Sequence, residues 1–79
     1  MIKVWITKYA LTSGITKHDA ELCDDSMVKY GHMQYAHVES KEWHRSYENA
    51  LMRAEEMRIS KIVSLKKSIA RLAAMSFKV

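Results

Sequence analysis

The sequence predicts an α+β fold: a small antiparallel sheet of three or four strands packed by one long C-terminal helix, within a single domain of residues 1–79. Two observations carry this. Residues 46–77 contain no Gly and no Pro and are filled with Ala, Leu, Met, Glu, Lys and Arg, which lose least on entering a helix. Residues 1–44 break instead into short alternating runs rich in β-branched and aromatic side chains, separated by turn residues.

Taken in order, residues 2–12 alternate cleanly, with Ile2, Val4 and Ile6 on one side and Trp5, Thr7, Tyr9 and Leu11 on the other. Both faces carry apolar mass, so this strand is central or covered on both sides, and Ser13–Gly14 ends it. Residues 15–23 read as the returning strand, and Asp24, Asp25 and Ser26 as a polar turn. Residues 27–30 and 33–38 are two further strand-like pieces, with Gly31 between them for a hairpin or bulge. Residues 39–42 read as a polar connection, and Trp43 as a staple that packs on Ala50 at the helix entry.

The helix is expected to start at Ser46 as N-cap, with Glu48 in the first turn, and to run to about Phe77. It would be roughly 45 Å long, whereas a compact globule of this length is about 30 Å across. It must overhang its domain or pack on something else. One broad apolar stripe joins Tyr47, Ala50, Leu51, Ala54, Met57, Ile62, Leu65, Ile69, Leu72 and Met75, enough to cover a small sheet. A weaker stripe lies nearly opposite, made of Met52, Ile59, Val63, Ala70 and Ala74. It predicts a homodimer contact with the same helix of a second subunit.

Charge is unevenly placed. Residues 1–44 hold five Lys against six acids, a balance of −1, while residues 45–79 hold eight Lys or Arg against three acids, a balance of +5. After Glu56 there is no acid at all. Arg53, Arg58, Lys61, Lys66, Lys67 and Arg71, with Lys78 beyond them, therefore form the expected partner-binding set. The partner would be either nucleic acid or an acidic protein face. The plain alternative is a solvated helix whose cations complement its own dipole.

Signals for chemistry are few. No P-loop, GxGxxG, GxSxG, HExxH or paired CxxC occurs, and the two glycines are far apart. His18, His32, His37 and His44 lack zinc spacing, so neither metal nor cofactor is expected; Cys23, with His18 and Asp24 near it in sequence, suggests a nucleophile but has no oxyanion site or orienting third group, so it reads as a buried or idle thiol. Tyr30, Tyr35 and His37 read either as core or as an aromatic platform for bases. No catalytic residue is assigned and no enzyme is expected. A single cysteine, no apolar run of spanning length and a strand-like opening without signal-peptide layout lead to an expectation of a cytoplasmic, membrane-free protein.

The opening run Lys3-Val-Trp-Ile-Thr-Lys-Tyr-Ala-Leu-Thr-Ser-Gly-Ile15, with Lys41-Glu-Trp-His44 and Ala54-Glu-Glu-Met-Arg58, resembles a small-protein family of phages, prophages and gut-bacterial mobile elements. Lys61–Ile62 and Ser64 to Lys67 extend the likeness, which covers over half of the chain and leaves out Thr16 to Ser40. The family brings no catalytic residues with it. The resemblance implies a short accessory protein acting on a host process or a defence system, and the strand-then-helix layout is also similar to that of several anti-CRISPR proteins. The leading expectation is a non-enzymatic phage or prophage protein that binds and inhibits a host protein complex, CRISPR interference machinery among the candidates, in the host cytoplasm. A nucleic-acid-binding accessory protein using the basic helix is the alternative. Third comes an anti-defence protein that sequesters a nucleotide signal, which requires Tyr35 or Trp43 exposed beside basic groups.

Overall fold

The computed structural model describes residues 1–77. It is an α+β fold with the order β1 (Ile2–Ile6), α1 (Ala10–Ser13), β2 (Thr16–Leu22), β3 (Met27–Tyr30), β4 (Gln34–His37), β5 (Trp43–His44) and α2 (Tyr47–Ala74). The strands form one antiparallel sheet in the spatial order β4-β3-β2-β1-β5. The sheet thus has a fifth strand, a two-residue one, where the sequence reads only a polar connection and a staple.

Register explains the core. Directly opposed residues in an antiparallel pair share a face, and Ile2↔Ala20, Val4↔His18, Ala20↔Tyr30, Val28↔Ala36 and Ile6↔Trp43 are such pairs. Val4, Ile6, Ala20, Val28, Tyr30, Ala36 and Trp43 are accordingly buried together on one face, with Ile2 packed against them. The Trp43 ring belongs to this cluster, which does not include Ala50. Its indole N–H donates to the Ser26 carbonyl at 3.1 Å, reaching from β5 to the turn before β3. The Ser26 carbonyl also accepts from Val38 N at 2.7 Å, and Glu42 N donates to His37 O at 3.0 Å. These bonds bring the two sheet edges toward one another and curl the sheet around its own core.

The connections follow local chemistry. Asp24 Oδ1 accepts from Ser26 N at 2.7 Å and Met27 N at 2.8 Å, closing the polar turn. Gly31 has φ 61°, the left-handed conformation that glycine adopts without steric cost. The first strand ends at Ile6, earlier than its alternation suggests, because Ala10 N bonds back to Thr7 O and the chain makes the short helical turn α1.

Ser46 caps α2 as expected, its hydroxyl accepting from Asn49 N at 3.2 Å. The helix stops at Ala74, short of Phe77, where the described residues 69–77 are all exposed. Its approach to the sheet is brief. Ala50 is its one buried residue, while Arg53, Ala54 and Met57 are half-buried beside it. The expected stripe therefore does not cover the sheet along its length. The sheet buries its core by curling, and only the first turns of α2 lie against β1, β5 and α1.

Candidate functional site

Beyond Met57 the helix leaves the domain. From Arg58 to Ala74 every residue except Ser68 is exposed, a length of about 25 Å. The molecule measures 61 × 25 × 20 Å as a result. Within this projecting part Ile62, Leu65, Ile69 and Leu72 are 39%, 48%, 65% and 61% exposed. All four belong to the stripe expected to cover the sheet. They are open because the domain ends before it reaches them.

The weaker stripe is exposed as well, with Met52, Ile59, Val63, Ala70 and Ala74 all on the surface. So both apolar rows of the projecting segment face solvent, on different sides of the helix. A contiguous exposed apolar row on a small protein marks an interaction surface more often than isolated exposed side chains do.

The six expected partner-binding cations separate into two groups. Arg53 is half-buried at the junction with the sheet, its guanidinium held 3.4 Å from Glu56. Arg58 ion-pairs with Glu55 at 2.7 Å, which lowers the Glu55 pKa and raises that of Arg58. Lys61, Lys66, Lys67 and Arg71 are exposed on the projecting segment, where no carboxylate lies between Glu56 and Phe77. Lys78 lies outside the described residues.

The junction holds one polar chain that the sequence does not announce. Thr7 is fully buried; its hydroxyl donates to Lys41 O at 2.9 Å and lies 3.0 Å from His44 Nε2. With its own proton committed to that carbonyl, the hydroxyl oxygen accepts from the ring N–H. Burial pushes the His44 pKa below its ordinary value, the Lys41 carbonyl opposes this, and Arg53 adds to it. The arrangement is structural: it ties β1 to the segment before β5 and carries no open substrate position.

Two adjoining concavities, of about 170 and 270 Å³, open at one end of the curled sheet and share Tyr9, Tyr30 and Gln34. Tyr35 is half-exposed there, and Lys8 Nζ donates to its carbonyl at 3.4 Å. Lys8 is the one Lys or Arg among the lining residues, and the Glu42 carboxylate 3.9 Å away offsets its charge. Trp43 is buried, with Arg45 over its ring. Tyr30 is a core residue rather than part of a platform, and burial raises its pKa. The groove therefore offers little to a phosphate. Among the described residues no group of three His, Cys, Asp or Glu side chains is placed to hold a metal ion, and Cys23 is an exposed free thiol. No described helix is long and apolar enough to cross a membrane.

No family model, no curated protein and no solved structure matches this chain.

Proposed function

We propose that this protein is a non-enzymatic accessory protein of phage or prophage type that binds and inhibits a protein complex of its bacterial host, with the projecting half of α2 as the contact. One observation carries the reading. The sheet completes its core without the distal helix, yet that helix presents Ile62, Leu65, Ile69 and Leu72 to solvent. Exposing such a row costs about 25 cal/mol for each Å² that a partner would otherwise cover. The resemblance of the opening run and of the Ala54 to Arg58 segment supplies the phage context, with CRISPR interference machinery one candidate target.

A second reading has its own observation. Lys67 and Arg71 are spaced i, i+4 on a helix side away from the Ile62 row, beside Lys66, with no acid nearby. That side suits phosphates, as a nucleic-acid-binding accessory protein would require.

The test is capture of partners from bacterial host lysate on the tagged protein, with and without nuclease. A discrete complex that survives nuclease and loses activity when the protein is added supports the inhibitor. Loss of every partner on nuclease treatment transfers the reading to nucleic acid.

A further inference from the structure

The exposed row has a spacing that says what covers it. Ile62, Leu65, Ile69 and Leu72 follow one another at intervals of three, four and three residues, which is the a and d pattern of two heptads. Both a positions are Ile and both d positions are Leu, the combination that favours a two-stranded parallel coiled coil. At 3.6 residues per turn the row lies about 90° around the helix from Ala50, Arg53, Ala54 and Met57, the side that meets the sheet. A second helix can therefore lie along it without striking the domain. The preceding a and d positions are Glu55 and Arg58, paired with each other at 2.7 Å. The apolar seam thus begins just past the point where the domain ends.

Charge decides the occupant. The positions flanking the seam are Lys61 at g and Lys66 at e. A parallel pair of identical helices sets each Lys61 against Lys66 of the other copy. An antiparallel pair with Ile62 opposite Leu72 brings the two Lys66 side chains together. No carboxylate between Glu56 and Phe77 is present to relieve either arrangement. The geometry points to a different occupant: an amphipathic helix of the partner protein, with its own apolar heptads and with Glu or Asp at the flanking positions facing Lys61 and Lys66. This deepens the protein-binding reading and rests on it.

The probe is a pair of synthetic 21-residue helical peptides sharing one Ile/Leu seam, with Glu at every e and g position in one and Lys in the other. We expect the full-length protein to bind the Glu peptide at least about tenfold more tightly than the Lys peptide at low salt, and to lose this preference in high salt. Ile69→Glu should weaken binding of the Glu peptide at least about tenfold. Ser64→Glu, on a side of the helix away from the seam, should leave it unchanged. Both positions are exposed, so neither variant threatens the fold, and coincident thermal melts check this. Equal affinity for the two peptides, no binding of either, or full binding by the Ile69→Glu protein overturns the inference. So does a doubling of the protein's own mass that Ile69→Glu abolishes, since a second copy would then occupy the seam. The two levels separate cleanly. A lysate complex still retained by the Ile69→Glu protein removes the seam and leaves the inhibitor reading. Binding of the Glu peptide, with no complex retained from lysate, does the reverse.

Discussion

His44 shows how much of the junction depends on single atoms. Its ring is half-buried in β5, gives a hydrogen bond to Thr7, and faces Arg53 and Glu56 from α2 and the Lys41 carbonyl from the preceding loop. Desolvation is the largest influence on it, so the folded protein holds its pKa below the ordinary value of 6.5. Above that pH the ring is neutral in both folded and unfolded chains, and this source of stability is fully present. As pH falls below 6.5 the unfolded chain takes up the proton first. Stability therefore declines until the folded-state pKa is passed, and then levels off. Thermal melts between pH 7.5 and pH 5 should show a falling Tm, and His44→Gln should flatten that dependence. An equally steep fall in the His44→Gln protein would place the titration elsewhere. No sequence pattern marks this cluster, because Thr7, Lys41 and His44 come together only through the pairing of β1 with β5.

At the scale of elements, α2 is one helix in two environments. Its first turns are capped by Ser46 and packed through Ala50, Ala54 and Met57; the segment from Arg58 to Ala74 stands alone. A free helix of that length is marginal in water however good its propensities. Amide exchange in the unbound protein should therefore be at least about tenfold faster over residues 62–74 than over residues 51–57. Binding of the Glu peptide should narrow the gap. Uniform slow exchange along α2 would mean that the distal helix is already covered. Much of this architecture was legible in the residues. Alternation with Gly31 and Asp24 marked β2, β3 and β4, and Ser46 marked the start of α2. Two elements were not legible. A strand of two residues, Trp43–His44, has no period to detect, and the four-residue turn α1 lies inside a run that alternates like a strand. The wheel of α2 grouped Ile62, Leu65, Ile69 and Leu72 with Ala50 as one broad apolar side, whereas the centre of that row lies about 90° around the helix from the side that meets the sheet. What it lacked was how far the domain reaches along the helix. That depends on the sheet burying its own core, a tertiary fact with no local signature.

The whole molecule is elongated and polarised. Its radius of gyration is 17.1 Å, against about 12 Å for a compact chain of this length. A near-neutral sheet sits at one end and a cationic helix at the other. A shape of this kind meets a partner lengthwise, and the two proposed partners would use sides of the same helix that share only Lys66. Phosphates would engage Lys66, Lys67 and Arg71. Neutralising three of them makes affinity fall about 40-fold between 50 and 200 mM salt. An acid-flanked helix would lie on Ile62, Leu65, Ile69 and Leu72, with charge only at Lys61 and Lys66. Its affinity should fall by no more than several-fold over that range, because most of the contact is apolar. The discriminating pair of variants follows from the wheel. The double change Lys67→Glu with Arg71→Glu reverses charge on sides away from the seam, and Ile69→Glu disrupts the seam while leaving those cations in place. If the protein works through a partner helix, affinity for the captured complex should survive the first change and fail with the second. The opposite pattern, combined with the steep salt dependence, would assign the basic side to nucleic acid and leave the apolar row without a role in binding.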